Sequence, residues 1–171
     1  ESRVDDMGNS FLLQAYSQSS FSLGKQVKIN PGVHMQHFLL GNQTAVEPRL
    51  GISWALNENQ SLNLGYGLHS QIEKLNFYLA EVVENGETSQ PNKDLGFAKS
   101  HHIVLGFDRK LGGHTRLRVE PYAQFVVSVP VIEVSYYSFI DLEDGVFLNE
   151  TLVNTGRGRN IGLDLTLERF L

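Results

Sequence analysis

The chain of 171 residues contains no cysteine and carries no excess of positive charge. Without cysteine it forms neither a disulfide framework nor a thiolate metal site, and it has no thiol nucleophile. Its net charge of −5 supplies no basic stripe for phosphates, so no nucleic-acid partner is expected. No apolar run approaches the roughly 20 residues that a membrane helix needs. These absences leave the fold class to be decided by the order of the residues.

Apolar and polar residues alternate along most of the chain. From Val27 to Met35 every second residue is apolar, and the residues between are polar or glycine. Recurrence of this pattern predicts seven strands of roughly 9–14 residues, each with one apolar and one polar face. The apolar positions of the seven segments begin at Phe11, Val27, Val46, Leu62, Ile103, Leu117 and Ile161. Strands of soluble sheets usually have about 5–6 residues, whereas a tilted strand needs about 9–11 residues to cross a bilayer.

Full charges stand in the middle of the polar faces, at Glu47, Arg49, Arg118, Glu120 and Asp164. The polar lumen of a membrane barrel accepts such residues while the apolar partners face lipid. We therefore predict a lumen-facing polar network from these five residues, which either contacts a plug or substrate or stiffens the wall. A soluble antiparallel sheet with one solvated face would give the same alternation.

The connections alternate between short and long. Residues 23–26, 57–60 and 111–114 are rich in glycine and asparagine and predict tight turns. The other side carries long connections at about residues 72–98 and 127–155. Outer-membrane barrels have short periplasmic turns and longer extracellular loops. The predicted fold class is therefore all-β, with antiparallel transmembrane β-barrel strands.

Several segments also match the strands of a known family. The segment 46–51 reads Val-Glu-Pro-Arg-Leu-Gly, and 64–71 reads Leu-Gly-Tyr-Gly-Leu-His-Ser-Gln. Residues 92–95 with 99–102 and the stretch 153–164, of the form N-x-G-x-G-x-x-x-G-x-D, follow in the same order. In their order and spacing they resemble TonB-dependent outer-membrane receptors, particularly those of Bacteroidetes-type bacteria.

The resemblance covers nearly the whole chain. It implies that residues 1–171 are part of a receptor β-barrel domain with about 22 strands and a plugged lumen, the plug domain being absent from this chain. The implied function is that of a wall segment of an outer-membrane transporter that imports a nutrient ligand. The implied partners are outer-membrane lipid, the TonB complex through the missing plug region, a surface lipoprotein, and a small-molecule, glycan or peptide ligand.

Two other functions remain open from the sequence. One is a non-transporting structural or adhesion barrel of the same membrane, and the other is a soluble antiparallel β ligand-binding domain. No catalytic residue, cofactor or metal site is predicted, and the chain is not expected to be an enzyme, because no acid/base pair is apparent. His69 and His102 could share the lumenal face, where they either bind a metal or metal chelate or simply line a wet lumen.

Aromatic residues are frequent in the two long connections. Phe77 and Tyr78 lie in the first, and Tyr136, Tyr137 and Phe139 lie in the second. Exposed aromatic side chains are costly unless they contact something. We therefore predict that these five residues form an extracellular mouth for a ligand or a lipoprotein partner, or that the two loops pack on each other.

Overall fold

A computed structural model describes residues 9–84, 86–132 and 150–170, and these are almost entirely β-structure. Among them no helix is long and apolar enough to cross a membrane. The strands are β1 (Leu12–Gln18), β2 (Phe21–Leu23), β3 (Val27–Phe38), β4 (Gln43–Asn57), β5 (Gln60–Gln71), β6 (Val82–Glu84), β7 (Glu87–Ser89), β8 (Ala98–Lys110), β9 (Thr115–Ile132) and β10 (Leu152–Arg169). A short helix α1 (Leu75–Tyr78) and a 3-10 helix (Pro91–Asp94) lie between β5 and β8.

The long strands form one antiparallel sheet in the order β1-β3-β4-β5-β8-β9-β10, with β2 also paired to β3. Because β1 and β2 both pair with β3, they are two parts of one strand interrupted at residues 19–20. The sequence prediction of seven consecutive antiparallel strands is therefore confirmed. Each pairs mainly with its neighbour in the sequence, as in an up-and-down barrel wall.

The register between strands places apolar residues beside apolar residues on one face and polar residues beside polar residues on the other. Ile52 lies opposite Leu64, which in turn lies opposite Leu105, so an apolar row crosses three strands. One residue out of phase, His34 lies opposite Glu47 on the other face. Alternation within each strand thus becomes one apolar face and one polar face of the whole sheet.

The tight turns lie where the sequence predicts them. Gly24 and Gly112 have φ values of +66° and +73°, which glycine adopts without steric cost. Between β4 and β5, the Asn57 side chain accepts a hydrogen bond from the Asn59 amide at 2.9 Å. We call this edge of the sheet the turn end, and the opposite edge, which carries the long connections, the loop end.

The second long connection is shorter than the sequence suggests. β9 continues to Ile132 and β10 begins at Leu152, so both strands extend into the predicted loop 127–155. Pro130 and the residue Ser128, at a φ of +56°, interrupt the alternation without ending the strand. Register shifts between β10 and β9 absorb this irregularity.

The connection 72–97 folds against the polar face of the sheet at its loop end. Phe38 and Ala45 alternate in phase with the polar-face residues of β3 and β4, yet both are buried. The ring of Tyr78 meets that of Phe38 edge to face, with centroids 5.0 Å apart. The buried cluster comprises Phe38, Ala45, Tyr78, Leu95, Phe97, Ile132 and Leu152. It joins the first connection to both strands that flank the second.

This packing corrects the prediction for the loop aromatics. Tyr78 is 0% exposed and offers no surface to a ligand or a partner, so the extracellular-mouth alternative of that prediction is wrong for this residue. Phe77 is half-buried and packs against the same cluster. Both rings serve to hold the connection on the sheet. Tyr136, Tyr137 and Phe139 lie outside the described residues.

Two asparagines fasten the connection through backbone groups. Asn92 is 1% exposed; it donates to the carbonyl of Glu150 at 2.9 Å and accepts from the Leu152 amide at 2.9 Å. Asn154 accepts from the Gly96 amide at 2.8 Å and donates to the carbonyl of Gly96 at 3.2 Å. These side-chain amides satisfy backbone donors and acceptors at the loop end of the sheet. These hydrogen bonds therefore fix the connection 72–97 to the sheet.

We predict that Asn154→Ala in the full-length protein loosens the connection 72–97. Each lost hydrogen bond costs about 0.5–1.5 kcal/mol, so hydrogen exchange at the Gly96 amide should accelerate by at least roughly tenfold. The control Asn63→Ala removes an amide from the same sheet away from the connection. Equal exchange at Gly96 in both variants would contradict the fixing role of Asn154.

Candidate functional site

A ribbon of polar side chains crosses the polar face near the loop end. We call it the polar belt; it comprises Gln14, His34, Gln36, Glu47, Arg49, His69, His102, Gln124 and Asn160. Its members come from every long strand of the sheet, from β1 to β10. Register alone brings them together, because each strand contributes residues of the same phase at the same level.

Glu47 is the centre of the first half of the belt and is 1% exposed. Its carboxylate lies 2.8 Å from His34 Nδ1 and accepts from Arg49 Nη2 at 3.3 Å. It also accepts from the Gln36 amide and, at 2.8 Å, from the backbone N–H of Ser70. The backbone pairing of β4 with β5 ends at Arg49, so Glu47 bridges the two strands where their ladder opens.

The second half of the belt is a chain of side-chain hydrogen bonds on β8, β9 and β10. Asn160 donates to Gln124 Oε1 at 2.8 Å, and Gln124 Nε2 lies 3.1 Å from His102 Nε2. The rings of His102 and His69 meet edge to face with centroids 4.9 Å apart. His69 covers Gly67, where a Cβ would lie 2.8 Å from its Nε2. Glycine therefore makes room for this histidine pair.

The two histidines do share a face, but they do not form a metal site by themselves. The Nε2 atom of His102 is engaged by the amide of Gln124. Across residues 9–84, 86–132 and 150–170, no group of three or more histidine, cysteine, aspartate or glutamate side chains could hold a metal ion. The arrangement is suited to hydrogen bonding with a polar ligand.

A cavity of about 640 Å³ opens where the connection 72–97 meets this half of the belt. Its walls include His69, His102, Gln124 and Asn160, with Glu73 of the connection at its side. Burial raises the pKa of the Glu73 carboxyl, while neighbouring Lys74 partly opposes that shift. The cavity thus offers imidazole and amide groups beside a carboxyl that holds its proton to a higher pH than usual.

A second group of charges lies toward the turn end of the polar face. We call it the charged cluster; it comprises Asp108, Arg116, Arg118, Glu120 and Glu168. Arg116 Nε donates to both carboxylate oxygens of Asp108, at 2.9 and 2.8 Å. Arg118 lies 3.4 Å from Asp108 and 3.8 Å from Glu120. On β8 the cluster is six residues beyond His102, or roughly 20 Å.

The five residues of the predicted network therefore divide between two places. Glu47 and Arg49 belong to the polar belt, and Arg118 and Glu120 belong to the charged cluster. Asp164 lies directly opposite Glu120 and makes no ion pair with any described residue. The like charges of this pair repel each other, and Arg118, 3.8 Å from Glu120, offsets part of that repulsion.

Sequence reasoning missed the central partners of both groups. His34 and Gln36 bind Glu47, and Asp108 binds Arg116. The turn at 111–114 was a usable signal for the second pair, because a hairpin there brings Asp108 opposite Arg118 and next to Arg116. The turn at 39–42 gives the same kind of signal for His34 and Glu47, because a hairpin there brings them opposite each other.

The apolar face is exposed along its whole width. Leu105 is 53% exposed, Leu163 56% and Leu165 67%, although all three lie in the middle of long strands. A soluble domain rarely exposes a continuous apolar surface of this extent. Trp54 and Phe107 lie on the same face near the turn end.

Comparison with known proteins gives a clear result for the fold. No protein-family model and no curated protein matches the chain. Two solved structures of the ferric enterobactin receptor PfeA from Pseudomonas aeruginosa, the mutants G324V and R480A/Q482A, each match with a TM-score of 0.67 at 15% identity. The match covers 91% of this chain and 24% of each receptor. The fold is therefore that of consecutive antiparallel strands in the wall of a large β-barrel.

We predict that Glu47→Ala in the full-length protein opens β4 from β5 at the loop end. Hydrogen bonds to a charged group contribute about 1.5–3 kcal/mol each, so exchange at the Ser70 amide should rise at least tenfold. The control Glu168→Ala removes a half-exposed carboxylate whose ion pair is 3.5 Å long; surface pairs contribute about 0–1 kcal/mol. Unchanged exchange at Ser70 after Glu47→Ala would refute the bridging role.

Proposed function

We propose that this chain forms part of the barrel wall of an outer-membrane, TonB-dependent transporter that imports a nutrient ligand. The observation that carries the proposal is the exposure of the apolar face beside a polar face that bears the polar belt and the charged cluster. Hydrocarbon outside and water inside explain both faces at once. The likeness in fold to the PfeA structures supports the same arrangement.

The orientation of the chain follows from the two ends of the sheet. Short turns belong to the periplasmic side of such barrels and long loops to the outside. The polar belt, the cavity and the connection 72–97 then lie in the upper lumen, beneath the extracellular mouth. The charged cluster lies lower, at the level where a plug would contact the wall, and Asp164, which has no ion pair among the described residues, would accept a basic side chain of the plug beside Glu120.

The ligand we propose is polar and enters from outside. The cavity beside His69 and His102 presents imidazole and amide groups, which suit hydroxyl and carbonyl groups of a glycan, a peptide or a chelate. The assignment to Bacteroidetes-type receptors rests on the segments 46–51, 64–71 and 153–164, and a surface lipoprotein would be the corresponding partner. PfeA, by its name, is a receptor for ferric enterobactin, which is one example of such a ligand.

Two adjacent residues of β5 test the membrane part of the proposal. Leu64 lies on the apolar face and Asn63 on the polar face. We predict that a spin label at Leu64→Cys in the full-length protein, reconstituted in bilayers, is relaxed by oxygen, whereas one at Asn63→Cys is relaxed by a water-soluble nickel chelate. Water contact at position 64 would contradict the proposal and favour a soluble β-domain.

A second experiment separates transport from a purely structural or adhesive barrel. We expect the full-length protein to retain the purified periplasmic domain of TonB, because transport requires energy passed from the inner membrane. A structural barrel would not retain it. Failure of this binding in a protein that passes the spin-label test would leave the membrane barrel standing and overturn its function as a transporter.

A further inference from the structure

A group of basic residues interrupts the apolar face at the loop end. Lys99 and His101 precede Ile103 at every second position of β8, and Arg157 and Arg159 precede Ile161 on β10 in the same way. We call the four residues Lys99, His101, Arg157 and Arg159 the basic patch. The same face is apolar along the rest of these strands until Arg109 and Arg169 at the turn end.

Register brings the members of the basic patch together around β9. Phe125 lies opposite both His101 and Arg159, and Lys99 lies opposite Val127 in the next outward row. One strand, β9, lies between β8 and β10, so two inter-strand spacings of about 9.5 Å in total separate them, and two residues along a strand span about 6.7 Å. Long lysine and arginine side chains reach across such distances, so several cations can converge over Phe125, which is 41% exposed.

The described part of the chain supplies no carboxylate to the basic patch. None of Lys99, Arg157 and Arg159 makes an ion pair within residues 9–84, 86–132 and 150–170. His101 Nδ1 lies 3.0 Å from the Tyr66 hydroxyl, which orients the ring and leaves Nε2 for another partner. The arginines of the polar face differ, because Arg49, Arg116 and Arg118 each meet a carboxylate.

The position of these basic residues, next to exposed apolar side chains, indicates what kind of ligand they bind. Immediately toward the turn end lie Ile103 and Ile161, and Leu163 follows at 56% exposure. An amphiphile with an anionic head at the level of the cations and acyl chains along these side chains satisfies both parts of the surface. We propose that the basic patch binds the phosphorylated headgroup of a lipid in the outer leaflet. This inference rests on the membrane location in the proposed function and is independent of transport.

The test uses the full-length protein in detergent and bis-phosphorylated lipid A as the probe. Lipid binding is measured by native mass spectrometry for the wild type and for the double variant Lys99→Gln/Arg159→Gln. The matched control is Arg109→Gln/Arg169→Gln, which removes the same charge from the same two strands and the same face at the turn end. We expect the patch variant to lose roughly tenfold or more in affinity, and the control to bind as the wild type does.

Other outcomes overturn the inference in distinguishable ways. Equal losses of lipid affinity in both double variants would mean attraction by overall charge. No loss in either variant would mean that the apolar face alone binds the lipid. Competition by millimolar inorganic phosphate as effective as lipid A itself would mean that the acyl chains contribute nothing and that no lipid site exists. Absence of lipid binding by the wild type overturns this inference alone if Leu64 faces hydrocarbon, whereas water contact at Leu64 overturns the membrane barrel itself.

Discussion

The register between neighbouring strands is the constraint on which every other feature depends. Side chains alternate with a period of two, so a slip of one residue in any pair would exchange the two faces of a strand. Ile52, Leu64 and Leu105 share a face only because three strands keep one phase. The same phase gathers His34, Glu47 and Gln36 on the other side. The apolar face and the polar belt are therefore two consequences of one pairing pattern.

The belt occurs where regular pairing stops. Above Arg49 the backbone of β4 no longer pairs with that of β5, and the Ser70 amide has lost its ladder partner there. Glu47 replaces that partner with a side-chain carboxylate and is in turn held by His34 and Gln36. Burying a charge requires several hydrogen bonds of this kind. The opening in the ladder thus explains why a nearly inaccessible glutamate lies in the wall.

How far the sequence predicts this structure depends on the range of the interaction. Strands and tight turns are local, and the alternation with Gly24 and Gly112 at the turns identified them. The connection 72–97 was not predictable in this way, because Tyr78 is buried by Phe38, forty residues earlier in the chain. The predicted charge network was only partly accessible for the same reason. Spacing along single strands placed Glu47 beside Arg49 and Arg118 beside Glu120, whereas it could not show that Asp164 lies opposite the like charge of Glu120 on the neighbouring strand.

Alternation also means that one short segment serves two environments. On β10, Arg159 faces outward in the basic patch, while the next residue, Asn160, donates to Gln124 in the polar belt. On β8, His101 bonds with Tyr66 on the outer side, and His102 meets His69 on the inner side. A lipid bound outside and a ligand bound inside would therefore touch consecutive residues of the same strands.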